Sequence, residues 1–171
     1  MEYSAEVQRA NKFGYTPVMR ALRYGQVRVA DELLRRRASI LLEDNHRATA
    51  LQIASAAGVT ESVEWLLRQK GISRQMQHRD SEGVTPLLAA ASKGHADICR
   101  MLLEARARPG CADEKGRSPL LLALARNDVD LAHSLIGAEA DVNAEDEDGR
   151  TVLRLLVENL VRFKEQKEVR E

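Results

Sequence analysis

Aromatic residues are scarce in this chain, with two Phe, three Tyr and one Trp among 171 residues. A core with so few rings must be filled by Leu, Ala, Val and Ile, which favours closely packed helices over a sheet sandwich. Cysteine is scarcer still. Cys99 and Cys111 are the only two, too few for a disulfide framework or a paired metal motif. A reducing cytoplasmic setting is expected from that, with the nucleus as second choice. No apolar run approaches the roughly 20 residues of a membrane span. Met1-Glu2-Tyr3-Ser4 lacks the charged-then-apolar order of a secretory signal. Net charge is absent too, since 26 Lys and Arg balance 26 Asp and Glu. That removes the usual electrostatic case for nucleic acid. Neither nucleic-acid binding nor direct membrane insertion is expected.

Catalytic signatures are equally missing. There is no Gly-x-Ser-x-Gly elbow, no glycine loop for phosphate and no His-Glu-x-x-His. His46, His78, His95 and His133 are scattered along the chain, and each reads as a solvated or capping side chain rather than a metal ligand. Cys99 falls on an apolar helical position and Cys111 in a loop. Arg35-Arg36-Arg37 reads as basic residues well placed at a helix C-terminus. No catalytic residue, cofactor or metal site is expected, and the chain should not be an enzyme.

What the sequence does have is a repeat. Thr16-Pro17-Val18, Thr49-Ala50-Leu51, Thr85-Pro86-Leu87, Ser118-Pro119-Leu120 and Thr151-Val152-Leu153 recur at spacings of 33, 36, 33 and 33. Gly25, Gly58, Gly94 and Asn127 each follow the Thr or Ser by nine residues. Leu33-Leu34, Leu66-Leu67, Leu102-Leu103 and Leu135-Ile136 follow at 17 and 18. A turn precedes each motif, from Asn11, Asp44, Asp80, Asp113 and Asp146 to Gly14, Arg47, Gly83, Gly116 and Gly149. The landmarks have local physical meaning. Asp-x-x-Gly makes a tight turn, Thr or Ser caps a first helix, and Pro suits its first position. Gly or Asn ends that helix in the left-handed conformation. A second helix carries apolar residues at helical spacing, Val29, Leu33 and Leu34 in one case and Ile98, Cys99, Leu102 and Leu103 in another. Such pairs bury their apolar sides only by stacking.

Gly83-Val84-Thr85-Pro86-Leu87-Leu88-Ala89-Ala90, Gly94-His95-Ala96-Asp97-Ile98 and Ala140-Asp141-Val142-Asn143-Ala144 resemble ankyrin repeats. The resemblance covers roughly Asn11 to Asn159, and the 33-residue period makes it specific. It implies an all-α ankyrin-repeat solenoid of about five stacked helix-turn-helix repeats joined by hairpin-like loops. Residues 1–10 would be an extension and 11–171 the repeat domain, with repeats at about 11–43, 44–79, 80–112, 113–145 and 146–171. The family usually places His two residues after Pro. Met19, Gln52, Leu88, Leu121 and Arg154 stand there instead, so the hydrogen bonds of that His should be missing. The Gly expected after each second helix is absent near Arg37, Lys70, Arg106 and Glu139. Three extra residues within 72–79 read as a neutral surface insertion.

The ends depart further. One first-helix position reads Ile53, Ala89, Leu122 and Leu155, but Arg20 in the first repeat, as expected of a cap with nothing before it. Ala5-Glu6-Val7 weakly echoes the tail of an earlier repeat, which would favour a chain cut from a longer array; Arg20 favours the cap. In the fifth repeat the second helix is lost. Leu153, Leu156, Val157 and Leu160 form one stripe, expected on a single longer helix that closes the stack and ends in a polar tail.

Ankyrin proteins bind through the turn tips and the exposed side of the first helices. Carried over to this chain, that implies partner contacts at Lys12, Phe13, Tyr15, Arg23, Tyr24, His46, Ala57, Glu82, Lys93, Lys115, Arg117, Arg126, Glu147 and Asp148. Residues 1–79 carry 13 Lys and Arg against 8 Asp and Glu, a net +5; residues 80–171 carry 13 against 18, a net −5. The implied function is a non-catalytic adaptor or inhibitor gripping an extended segment or helix of another protein, the isolated domain being a monomer. The alternative is a targeting or regulatory domain excised from a larger multidomain enzyme, channel or scaffold.

Overall fold

A computed structural model describes residues 7–168, with side chains through Arg162. Residues 1–6, which include the Ala5-Glu6 echo, and 169–171, the end of the polar tail, lie outside the described residues. Four helix pairs follow one another: α1 (Pro17–Arg23) with α2 (Val27–Arg35), α3 (Ala50–Ala57) with α4 (Thr60–Leu67), α5 (Pro86–Lys93) with α6 (Ala96–Glu104), and α7 (Pro119–Ala125) with α8 (Val129–Gly137). A single helix, α9 (Val152–Glu168), ends the series. First helices stack on first helices and second on second. Among the described residues there is no strand, only isolated bridges between Glu43 and Thr49 and between Glu145 and Thr151. The chain is an all-α repeat solenoid.

Local chemistry sets each boundary. Thr16, Thr49, Thr85 and Ser118 accept a hydrogen bond from the backbone N–H three residues on, at 3.2–3.4 Å, and Pro17, Pro86 and Pro119 open their helices. The first helices end at Gly58 and Gly94, with φ of 75° and 79°, and before Asn127 at 56°. In the turns, the Asp80 carboxylate accepts from Glu82 and Val84 N–H, both at 2.9 Å. Asp44, Asp113 and Asp146 do the same in their own turns. Each tip also bonds to the next through the backbone: Asn45 N–H to Phe13 C=O, Ser81 to His46, Glu114 to Glu82 and Glu147 to Lys115, at 2.9–3.2 Å.

Leu22, Leu51, Leu66, Leu87, Leu102, Leu120, Leu131 and Leu135 are fully buried along one continuous core, each stabilising by about 1.5–3 kcal/mol relative to exposure. Cys99 lies within it. Burial, with the charge of Asp128 adding to it, pushes its thiol up to about 12, which leaves it inert at neutral pH. Leu88 and Leu121 are buried and pack, as expected of apolar side chains in that slot. The turn position of Arg47 and the helix-end positions of Arg37, Arg106 and Glu139 have φ of 62–71°. A non-glycine residue there carries strain of about 1 kcal/mol.

Several expectations are corrected. The hydrogen bonds of the missing His are not all absent, because Gln52 supplies them in the second repeat. Its Oε1 accepts from Thr49 N–H at 2.9 Å, and its amide donates to Val84 C=O of the third repeat at 2.7 Å. The helix-ending glycine is not missing from every repeat, since Gly71, after Lys70, takes φ of 84°. Nor is the 72–79 insertion a surface loop. It forms a 3₁₀ turn (Ile72–Arg74) and buries Ile72, Gln75 and Met76. Gln75 donates to Ile40 C=O of the first repeat at 2.6 Å and accepts from Leu51 N–H at 3.3 Å. Val29 is exposed, and among the described residues no second helix lies on the outer side of α2. The single long α9 is present, but Leu153, Leu156, Val157 and Leu160 are all exposed. Val152 and Leu155 close the stack instead.

Candidate functional site

The first helices and turn tips enclose a trough of about 600 Å³ that runs from Tyr15 and Arg23 in the first repeat to Arg117 and Leu122 in the fourth. Its shape follows from side-chain size. Ala56, Ala57, Ala89 and Ser92 line the floor, so nothing longer than a hydroxymethyl stands up from the middle of α3 and α5. Ala48 and Val84 line it from the turns, with Ile53, Leu88 and Leu122 beneath.

Charge is distributed unevenly along the walls. Asp80 and Asp113 line the trough but spend one carboxylate oxygen on their turns. Asp113 also holds Arg117 at 2.7 Å. Glu82 and Lys93 also line the trough, and neither has an ion-pair partner among the described residues. At the first-repeat end Arg23 lies over the Tyr15 ring, 5.9 Å from its centre, and donates to the Tyr15 hydroxyl at 3.4 Å. Tyr15 is half-buried against the core, so it positions Arg23 rather than standing free.

Six of the residues singled out by resemblance therefore come together: Tyr15, Arg23, Ala57, Glu82, Lys93 and Arg117. The others lie elsewhere. Lys12 and Phe13 form a pair at the first tip, with the ammonium 5.0 Å from the ring centre. His46 and Lys115 are at tips, where their carbonyls accept from the next repeat. Tyr24 lines a separate hollow of about 540 Å³ on the outer face of the first repeat, beside Arg20 and Val29. Arg126 caps α5, donating to Ser92 and Lys93 C=O at 3.1 and 3.3 Å, in space left open by Gly94. The acidic run near the fifth repeat is partly neutralised, since Arg150 pairs with Asp146 at 2.8 Å and Asp148 at 3.0 Å. Burial alone would raise the Asp146 carboxyl. Hydrogen bonds from Arg150 and Asp148 outweigh it and hold the group below the usual range. Among the described residues no group of three or more His, Cys, Asp or Glu is placed to hold a metal, and no helix is long and apolar enough to cross a membrane.

Ile53, Leu88, Ala89 and Leu122 were not anticipated as trough lining, because their spacing marks them as core; they serve both surfaces. Asp80 and Asp113 were accounted for by their turns.

A family model described as ankyrin repeats, three copies, matches residues 1–78, 37–113 and 72–146. Similar proteins include Protein fem-1 homolog A-like of Mus musculus, 32% identical over 103 residues, covering 60% of this chain and 15% of that protein. Ankyrin repeat and SOCS box protein 3 of Bos taurus is 35% identical over 89 residues, 52% of this chain and 17% of its own length. Ankyrin repeat protein nuc-2 of Neurospora crassa is 31% identical over 114 residues, 67% of this chain and 10% of its own. The chain thus spans a small part of the length of these relatives.

Proposed function

The chain belongs to the ankyrin-repeat family, and on that premise we propose that it is a non-catalytic adaptor or inhibitor that holds an extended segment of another protein in its trough. Ankyrin repeats are in general protein-interaction modules, and no catalytic family is indicated. The observation that carries the reading is the floor of Ala56, Ala57, Ala89 and Ser92 between charged walls. Small side chains let a partner's protruding groups in, while Arg23, Glu82 and Lys93 fix its direction. Repeats stack at roughly 10 Å each, so the trough receives about 10–15 residues of extended chain. The partner is acidic where it meets Arg23 and, if it reaches the fifth repeat, basic against Glu147. Charges of this kind set orientation and association rate more than affinity, so added salt slows binding. We place this work in the cytoplasm, with the nucleus as second choice, in keeping with the two free thiols.

A second reading has one observation in its favour. The relatives are several times longer than the matched stretch, so the same trough would act as a targeting or regulatory module within a larger protein. A partner isolated on the intact chain tests both readings through the variant Ala57→Trp, which fills the floor at an exposed position without changing charge. Affinity should fall at least tenfold. Unchanged affinity in Ala57→Trp and in Arg23→Glu overturns the trough as the binding site.

A further inference from the structure

Among the described residues the fifth repeat has a first helix but no second helix against it. Position for position, the residue two after the motif Thr or Ser is buried in the complete repeats, at 0–1% exposure for Leu51, Leu87 and Leu120, yet Leu153 is 72% exposed. In the complete repeats the repeat's own second helix folds back over the first. Here α9 runs straight on, with Leu160 at the position where glycine or asparagine ends α3, α5 and α7. The consequence is an apolar groove of about 470 Å³ between α8 and α9, lined by Val129, Ile136, Leu156 and Leu160, with Leu153 and Val157 exposed beside it.

We propose that this groove is covered by α9 of a second copy of the chain, which supplies the missing helix of the fifth repeat. Three observations favour a copy as occupant. The stripe Leu153, Leu156, Val157, Leu160 has the i, i+3, i+4, i+7 spacing that a helix needs to fill a groove of this kind, so each copy carries both the groove and the helix that fits it. A two-fold axis across α9 makes the two helices antiparallel, the direction in which a second helix returns along a first, and builds a four-helix face from two α8–α9 pairs. The six exposed side chains amount to roughly 600 Å² per copy, so the pair buries about 1,200 Å², the lower edge of a specific interface. An interface of that size fits a dimer that dissociates on dilution, in place of the monomer expected of an isolated domain.

Sedimentation velocity on the intact chain, from about 1 to about 500 µM, tests the proposal. The weight-average mass should climb from 19.1 kDa toward twice that value. Leu153→Glu, at a side chain that the single copy does not bury, should weaken self-association at least tenfold while helical circular dichroism is retained. Leu156→Glu should do the same. In a Cys111→Ser background, mixed Leu153→Cys and Leu160→Cys copies should form a disulfide in preference to either alone, as antiparallel pairing requires. A mass that stays at one copy throughout, which would leave the groove to a different protein's helix, overturns the proposal. So does a dimer indifferent to both glutamates, or a series of species larger than two copies.

Discussion

The third and fifth repeats begin alike and finish differently. Both open with an aspartate turn, a capped first helix and leucine two residues after the cap. In the third, α6 returns over α5 and Leu87 vanishes into the core; in the fifth no helix returns among the described residues, and Leu153 faces solvent. The difference teaches that an apolar position is made buried by the element that comes back over it. The first-repeat end differs again. There Arg9 and Arg20 share the open face with Tyr24, Val29 and Leu33, whereas the fifth-repeat end leaves leucine and valine.

The largest test of this comparison sets Leu102→Ala against Leu153→Ala. The first empties a fully buried site at the centre of the third repeat and should cost about 2–5 kcal/mol. The second should move stability by less than about 0.5 kcal/mol below the dimerisation range. Urea denaturation of both variants decides, and equal losses would erase the distinction between the two repeats.

A second test asks whether the fifth repeat's turn is as firmly built as the third's. Asp146→Ala removes three bonds, from Asp148 N–H, Arg150 N–H and the Arg150 guanidinium, and should cost about 1–3 kcal/mol. The sign of its pH dependence follows from the lowered carboxyl. The folded state binds that proton less readily than the unfolded chain, so the contribution is complete above the unfolded value of about 3.9. It is lost as pH falls through the lower folded value. The acid limb of stability should therefore be shallower in the alanine variant; identical limbs would show that the turn does not hold the carboxylate.

Gln52→Ala should cost about 1–2 kcal/mol through the Thr49 and Val84 bonds, read as a lower melting temperature. Smallest is Arg106→Gly in the third repeat, expected to stabilise by about 0.5–1 kcal/mol by relieving a positive φ. A loss there would mean the arginine's contacts outweigh its strain.

What was legible in the sequence was whatever a few neighbouring residues decide. The Thr and Ser caps, the Asp turns and the left-handed Gly58, Gly94 and Asn127 are local, so their phase exposed the whole fold. Part of the trough was legible too, because Ala57, Glu82 and Lys93 hold fixed offsets within a repeat. The rest depended on reach between repeats. Nothing local in Gln52, Gln75 or Arg126 says that their side chains will end on Val84, Ile40 and Ser92. A helical stripe from Leu153 to Leu160 shows that one face is apolar, but not whether anything lies against it.

The 72–79 insertion bears on how such an array is copied. A unit of 33 residues is a cassette, and duplicating it reproduces the neighbours it was fitted to. The second repeat is a cassette with an address. Gln75 reaches back to Ile40, and Gln77 reaches forward to Arg106 C=O and receives Arg108 N–H. Slipping a new unit to either side of it would strand one of two glutamines that together tie three successive repeats. A unit inserted or lost within the first three repeats breaks these bonds, whereas one added outside them leaves all of them in place.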